Sequence, residues 1–349
     1  MESSLKPRIA LVFGGRSGEH DVSRLSAGCV FAAVDTDAYE IVPIGVDREG
    51  RWCVRRDHAV DVEDNGALTL PDAELSQGEA LELLAGVDVA FPLIHGPLGE
   101  DGAFQGLCEM LGVRYVGAGV CSSAVCMDKH VTKTVLVQAG LPVVPWVCVT
   151  AAEMEEGRHD DEIAALGLPL FVKPARAGSS LGISKVDSLS ELTEAIATAA
   201  ACDDKILIEA ASSGREVECA VLSRKDGPAA SDVGEISFSS ESGFYDYTSK
   251  YVDTDSLELV IPANIPEADR SAMRSMALEA FRVVDGEGMA RIDFFYDDGD
   301  MTIAEINTIP GFTPFSMYPR LWQQTGLEYS ELITELIETA RGRDMRVRG

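Results

Sequence analysis

The chain opens with a short apolar run, Ile9 to Phe13, that stops at Gly14-Gly15. This is the pattern of a buried parallel strand entering a turn. Apolar positions then recur at helical spacing from about Val22 to Val34, and a strand-like run covers about Tyr39 to Val46. Another apolar run, Val87 to Ile94, ends at His95-Gly96, and a helical pattern follows from about Gly102 to Leu111. Strands alternating with helices predict a doubly wound α/β domain. The pattern changes near Gly117-Ala118-Gly119. A helix is expected from Lys129 to Ala139, then a strand-like Leu141 to Val149 with prolines at its edges. An acidic helix, Ala151–Leu166, precedes the strand Leu170 to Lys173. A glycine-serine loop at 177–182, a helix from about Leu189 to Ala200 and the strand Lys205 to Ala210 complete a compact α+β unit. From Glu216 on, strand-like segments dominate, beginning with Val217 to Leu222, and a long polar stretch runs from Ser237 to Asp255. A helix from about Glu267 to Val284 precedes a hairpin, Met289 to Tyr296 and Met301 to Asn307, around Asp297-Asp298-Gly299-Asp300. A last helix begins near Tyr329, and no internal repeat is found.

With 349 residues, the chain exceeds the size at which one core keeps growing, so two or three domains are expected. Its hydrophobic fraction of 46% and charged fraction of 25% are those of an ordinary globular protein. The net charge of −29 argues against nucleic acid or an anionic membrane surface as partner. No apolar run has the length to span a bilayer, and the N-terminus does not read as a secretory signal. None of the eight cysteines sits in a CxxC pair or at zinc spacing with histidines, which reads as reduced, buried thiols of a cytoplasmic protein.

The hairpin carries the clearest chemical signal. Side chains two apart on a strand share a face, so Arg291 pairs with Asp293 and Glu305 with Asn307. With the turn centred on Gly299, one register sets Arg291 opposite Asn307 and Asp293 opposite Glu305. Two carboxylates, an amide oxygen and a guanidinium then converge, and opposed carboxylates need a cation between them. Mg²⁺ takes hard oxygen ligands, usually one or two carboxylates plus substrate phosphates. The plainer alternative is a surface hairpin with solvated charges. Apolar Ile292, Phe294, Ile303 and Ile306 place the charged face in a cleft or at a rim.

Lys173 ends a buried strand, and Gly178-Ser179-Ser180-Leu181-Gly182 follows within a few residues. Backbone N–H groups of such a loop can converge on an anion. It is neither a P-loop nor a dinucleotide fingerprint, and an ordinary turn beside a surface lysine would read the same way. Lys129 lies near a helix start, where a lone lysine is usually solvent-facing. Glu209 and Glu216 bracket a strand end and a short loop, where a carboxylate can accept from an adenine amino group or a ribose hydroxyl.

In this order, Lys129, Lys173-Pro174, the 178–182 loop, Glu209, Glu216, Arg291-x-Asp293 and Glu305-x-Asn307 resemble an ATP-grasp enzyme. More narrowly, the chain resembles the D-alanine–D-alanine ligase family. Gly14 to Ser23 looks like that family's N-terminal substrate loop, and His95 to Gly102 like its HGxxGEDG motif. Tyr245 to Tyr251 looks like its active-site lid, and Asn307 to Thr313 followed by Ser316 matches its ending. The resemblance covers about residues 8 to 335. It implies an ATP-grasp fold, α/β and α+β, with a Rossmann-like N-terminal domain at 1–117. A central subdomain at 118–209 and a C-terminal subdomain at 210–349 would follow.

The resemblance also implies roles. Glu19 would bind the ammonium of the first D-alanine, with Ser179 and Tyr251 in one hydrogen-bonded set and Val22 at the substrate. His95 would sit near the reacting carboxylate or phosphate. Lys129, Lys173 and Lys250 would hold the phosphates of ATP, Glu209 would meet the adenine and Glu216 the ribose. Ser180, Ala210 and Ser212 complete the set given to ATP. Asp293, Glu305 and Asn307 would ligate two Mg²⁺ or Mn²⁺ ions. Arg291 and the Gly311 N–H would stabilise the oxyanion of a tetrahedral intermediate. Ser316 and Met317 would contact the second D-alanine, although the family usually has leucine at the Met317 position. A homodimer is expected from the resemblance.

On residue chemistry alone, Glu19 and His20 could cap the following helix, His95 could be a turn residue, and Tyr245, Tyr247 and Tyr251 could pack a loop. The activity implied is ligation of two D-alanines through an acyl phosphate, for peptidoglycan precursor synthesis. Lysines, Arg291 and metal would give an acidic protein the local positive field that ATP needs. Rival readings are a ligase making D-alanyl-D-lactate or D-alanyl-D-serine, an ATP-grasp enzyme for another acid and amine, and a nucleotide-binding regulator without catalysis. The lid sequence argues against the depsipeptide version.

Overall fold

The computed structural model describes residues 6–238 and 257–345. Tyr245, Tyr247, Lys250 and Tyr251 therefore lie outside the described residues.

β1 (Arg8–Gly14) is apolar on both faces because both faces of its sheet are covered. Ile9, Leu11 and Phe13 point into one core, while Ala10 and Val12 point into another. β2 (Glu40–Val46), β3 (Trp52–Cys53), β4 (Val89–Pro92) and β5 (Arg114–Tyr115) complete a sheet of order β3-β2-β1-β4-β5. It is parallel except for the β3 edge. The crossover helices are α1 (His20–Ala33), α2 (Gln77–Ala85) and α3 (Ala103–Leu111).

α4 (Val120–Met127) and α5 (Lys129–Gln138) lead into the second unit. Its antiparallel sheet has the order β6-β9-β7-β8, built from β6 (Trp146–Val149), β7 (Leu170–Pro174), β8 (Ser184–Val186) and β9 (Ile206–Ala210). Three helices accompany it: α6 (Ala151–Glu155), α7 (Asp160–Leu166) and α8 (Leu192–Ala200). Two expectations are corrected here. The acidic helix is two short helices, parted where Gly157 turns left-handed at φ +65°. Of the strand-like Leu141 to Val149, only the last four residues join the sheet. Pro142 and Pro145 lack the N–H a ladder needs, and the Pro142 carbonyl accepts from Ile303 instead.

The third unit is a second antiparallel sheet, β12-β11-β10-β13-β14. Its strands are β10 (Arg215–Arg224), β11 (Gly227–Phe238), β12 (Leu257–Val260), β13 (Met289–Asp297) and β14 (Asp300–Asn307). α9 (Glu267–Val283) packs Met273, Ala277, Ala280 and Phe281 against it, the three-to-four spacing of one helix face. The chain then returns to the first sheet. α10 (Met317–Gln324) and α11 (Tyr329–Arg341) bury Tyr318, Leu321, Leu332, Ile333, Leu336 and Ile337 in the core that holds Ile9, Leu11 and Phe13. Ala220 and Leu222 of β10 enter the same core, so the first and third units share one apolar interior.

All eight thiols are free, but they are not uniformly buried. Cys53, Cys108, Cys126 and Cys219 are buried, Cys29 and Cys148 half-buried, and Cys121 and Cys202 exposed. Cys121 lies in the first turn of α4 and Cys202 just past the end of α8. Both are helix ends, where a short side chain need not enter a core.

Candidate active site

In an open parallel sheet, ligands bind beyond the carboxyl ends of the strands where the strand order reverses. Here that point lies between β1 and β4. The loop after β1 carries Glu19 and the loop after β4 carries His95. Ser17 Oγ donates to the His95 carbonyl at 2.7 Å and ties the two loops together. Glu19 occupies the N-cap position of α1 but makes no side-chain cap bond. Its carboxylate accepts from Ser179 Oγ of the glycine-serine loop, 160 residues away. The capping alternative is thereby replaced by a long-range contact. Two glycines make room for it: a Cβ on Gly96 would stand 2.7 Å from Glu19 Oε2, and one on Gly178 2.9 Å from it.

The glycine-serine loop joins β7 to β8. Ser179 and Ser180 are both left-handed, with φ of 50° and 57°. For non-glycine residues this costs about 1–2 kcal/mol each, and such cost concentrates at binding sites. The Lys129 ammonium, at the head of α5, donates to the Ala177 carbonyl at 2.9 Å and holds the loop from beneath.

The charged end of the hairpin pairs as expected, Arg291 opposite Asn307 and Asp293 opposite Glu305, across a bulge that shifts the register between Asp293 and Phe294. β10 adds Glu218 opposite Asp293. Three carboxylates, Glu218, Asp293 and Glu305, thus stand in a row across three strands. Arg291 balances them. Its Nε lies 2.7 Å from Asp293 Oδ1 and 2.9 Å from Glu218 Oε2, and its Nη2 donates to Asp293 Oδ2 at 2.7 Å. Burial pushes the Arg291 pKa down, but Asp293, Glu218 and Glu305 outweigh it and hold the guanidinium well above its ordinary value. Lys129 meets the far end of the row, 3.3 Å from Glu305. One detail differs from expectation. Asn307 turns its amide nitrogen to the carboxylates, 2.9 Å from Asp293 and 3.4 Å from Glu305, because acceptors draw a donor. Among the described residues, no three His, Cys, Asp or Glu side chains are grouped as a metal cage. The hard-oxygen set consists of two carboxylates and, after an amide flip, Asn307 Oδ1.

One turn beyond Lys129 on α5, Lys133 faces the second sheet. Glu209 lies on central strand β9, opposite Trp146 of β6 and Phe171 of β7. Its carboxylate is buried between Lys133, at 3.0 Å, and Lys173. Burial raises the Glu209 pKa, and Lys173 and Lys133 outweigh it, so it falls below the ordinary glutamate value. Glu209 is therefore no open carboxylate at a strand end. Lys173 is likewise bound to an acid rather than solvated.

His95 is also more enclosed than a turn residue. Its Nδ1 donates to the Ile309 carbonyl at 3.0 Å, and its Nε2 lies 3.2 Å from Ser26 Oγ. Burial lowers its pKa, and Glu100 at 3.9 Å outweighs this and raises it. Through Ile309, the first unit grips the segment that carries Gly311 and Ser316. Ser316 Oγ lies 2.9 Å from Thr313 Oγ1 and would stand 3.1 Å from a Cβ on Gly311. Met317 is buried at the head of α10, its sulfur 2.6 Å from where a Gly234 Cβ would be, so it packs into the shared core. Val22, Ala210, Ser212 and Glu216 are all half-buried. The Ser212 hydroxyl accepts from the Gly214 N–H at 3.1 Å.

These contacts close a ring: Glu19 to Ser179, the loop to Lys129, Lys129 to Glu305, β14 to Ile309, Ile309 to His95, and His95 back to the Glu19 loop through Ser17. Three further charged groups meet the residues of this site without having been expected there. Glu218 had a signal in its two-residue spacing from Glu216, and Lys133 in its four-residue spacing from Lys129. Glu100 lay inside the HGxxGEDG segment; its carboxylate accepts from the Gly96 N–H at 3.1 Å.

Residues 8–118 match the family described as D-ala D-ala ligase N-terminus, and residues 135–338 the one described as D-ala D-ala ligase C-terminus. The D-alanine–D-alanine ligase of Pseudarthrobacter chlorophenolicus is 46% identical, covering 98% of this chain and 96% of that protein. Among solved structures, the VanG D-Ala:D-Ser ligase of Enterococcus faecalis superposes with a TM-score of 0.80 at 35% identity. That match covers 96% of this chain and 99% of the other. The D-alanine–D-alanine ligase of Bacillus anthracis complexed with ATP gives 0.76 at 27% identity, covering 96% and 97%. With both halves matched and the sheets arranged as above, this chain belongs to the D-alanine–D-alanine ligase family.

Proposed function

We propose that the chain joins two D-alanines into D-alanyl-D-alanine at the expense of ATP, for peptidoglycan precursor synthesis. The observation that carries this reading is the ring of contacts linking the Glu19 loop, the glycine-serine loop and the carboxylate hairpin. An amino-acid ammonium needs an acid, and Glu19 supplies one at the strand-order switch. A triphosphate in a −29 protein needs local cations; Lys129 is a link of the ring and Lys173 lies on β7, the strand that leads into the glycine-serine loop, with Lys250 assigned from sequence. Glu209, Ala210, Ser212 and Glu216 form the strand-end edge where the base and ribose would lie. Ser180, with Ser179, presents the strained loop to the phosphates.

In the reaction, a carboxylate oxygen of the first D-alanine attacks the γ-phosphorus of ATP, and ADP leaves. The amine of the second D-alanine then attacks the acyl carbon, phosphate leaves with the C–O bond pair, and the amine loses a proton. Arg291 and the Gly311 N–H would hold the oxyanion, and donors fixed in place lower such a barrier without reorganisation. Ser316 would orient the second amino acid, with Met317 packed beneath it and Val22 near the first. His95 would hold Ile309, and with it the Gly311 segment, in place. Tyr251 is assigned to lid closure from sequence.

Asp293, Glu305 and Asn307 fit one or two hard divalent ions, Mg²⁺ or Mn²⁺, since carboxylate and amide oxygens are the ligands such ions take. When bound, the ions would offset charge on the transferring phosphoryl group. The domain limits near 117 and 209, a homodimer and a cytoplasmic site are part of the same reading. No helix among the described residues is long and apolar enough to cross a membrane.

D-Alanyl-D-serine is the second reading, favoured by the 0.80 superposition on the VanG enzyme. A product assay with D-alanine, D-serine and D-lactate as competing second substrates decides between them. D-Alanyl-D-alanine as main product supports the first reading; D-alanyl-D-serine as main product overturns it.

A further inference from the structure

Lys133 is 1% exposed, among the largest fully buried side chains of the protein. A lysine ammonium is costly to bury without a partner. This one has three: Glu209 Oε1 at 3.0 Å, the Val144 carbonyl at 3.1 Å, and the Trp146 ring with its centroid at 5.6 Å. Replacing such an ion pair by apolar residues is often neutral or stabilising, so a stability role alone is a weak reason for it. Its position gives a better one. Glu209 takes Lys133 on Oε1 and Lys173 on Oε2. A carboxylate has about four lone-pair sites, and two ammonium groups leave acceptor capacity on the same group.

We propose that Lys133 is a positioning residue of the nucleotide site, holding Glu209 as a fixed acceptor for the 6-amino group of an adenine nucleotide. It thereby selects a 6-amino purine over a 6-oxo purine. The inference rests on the reading that Glu209 meets the base. Lys133 touches no substrate; it acts through Glu209. Its contacts on Val144 and Trp146 fix the ammonium from the side away from Lys173. The Glu209 carboxylate therefore cannot swing wholly onto Lys173. A 6-oxo purine presents an acceptor where adenine presents a donor, and would face the carboxylate with no hydrogen between them.

The test compares ATP with ITP, in steady-state kinetics on the full chain with Mg²⁺ and D-alanine. Wild type is expected to prefer ATP by at least about tenfold in kcat/KM, and Glu209→Gln to lose that preference. Lys133→Met should raise KM for ATP about tenfold, change kcat by less than about threefold and leave kcat/KM for ITP unchanged. A general packing defect would lower both nucleotides alike. If wild type fails to discriminate, the reading of Glu209 falls. If Glu209→Gln loses the preference but Lys133→Met keeps it, the reading stands and the role of Lys133 is overturned. If Lys133→Met yields no folded protein, Lys133→Met/Glu209→Gln is compared with Glu209→Gln. Equal kcat/KM for ATP supports action through Glu209, and a further tenfold loss contradicts it.

Discussion

The Lys129 ammonium stands 3.3 Å from the Glu305 carboxylate while it donates to the Ala177 carbonyl. One side chain therefore ties the carboxylate hairpin to the glycine-serine loop, two elements from different sheets. A cation shared in this way sets the distance between the carboxylates proposed to hold metal and the loop proposed to face the phosphates. Lys129→Met should cut kcat/KM for ATP about 100-fold, the scale of losing one fixed donor to a developing charge. Its effect on stability should stay under about 1 kcal/mol, since the pair is partly open to solvent. Steady-state kinetics and denaturant unfolding check the two halves, and loss of fold with intact kinetics in the folded fraction would contradict the assignment.

Glu305→Gln keeps the shape and removes one charge from the row Glu218, Asp293, Glu305. The expected outcome is about a tenfold weaker binding of Mn²⁺ together with ATP, and turnover lowered about 100-fold. Calorimetric titration with Mn²⁺ and a non-hydrolysable ATP analogue separates binding from catalysis. Normal turnover would rule out Glu305 as a ligand.

Gly178→Ala drives a methyl toward Glu19, whose Oε2 would lie 2.9 Å from the new Cβ. KM for the first D-alanine should rise about tenfold with a smaller change in KM for ATP. Gly106→Ala is the control, because a Cβ there meets nothing within 4 Å. Equal kinetics in both variants would mean that Glu19 is not held against the loop.

The pH dependence of stability tests the buried pair. The Glu209 pKa lies below the ordinary 4.5 because Lys173 and Lys133 outweigh its burial. Its contribution is then present above about pH 4.5 and is lost as the pH falls below that through the folded value. Lys133→Met removes one of the two cations, so the folded value rises and this contribution shrinks. The stability gap between wild type and variant should be widest above pH 4.5, about 3 kcal/mol at the scale of a broken buried pair, and should narrow in acid. Urea unfolding at pH 7 and pH 4 measures it, and a gap that widens in acid contradicts the assignment.

Strand periodicity alone does not fix the hairpin register. Asp297 pairs with Asp300, which without a bulge would set Ala304 opposite Asp293. A bulge at Ala304 restores the Arg291–Asn307 and Asp293–Glu305 pairs that a turn centred on Gly299 requires. In the first sheet the two-residue strands β3 and β5 are too short to show a period, and α2 was not read, whereas β1, β2, β4, α1 and α3 were legible from their apolar spacing. Partners distant in sequence were not. Nothing near Glu209 announces Lys133, since the two meet only when the fold brings α5 within side-chain reach of β9. By residue chemistry alone Glu19 could be read as a cap; only the family resemblance set it with Ser179, which the fold brings to it across 160 residues. The break at Gly157 was missed because acidic residues on either side keep a helical pattern through a glycine. β11 and β12 were missed because one runs into, and the other out of, a long polar stretch.

Phosphate release from ATP, followed with and without D-alanine and matched against dipeptide formed, tests the central claim most directly. Release should depend on D-alanine and run at one phosphate per D-alanyl-D-alanine. Tight ATP binding with no release on adding D-alanine would contradict it.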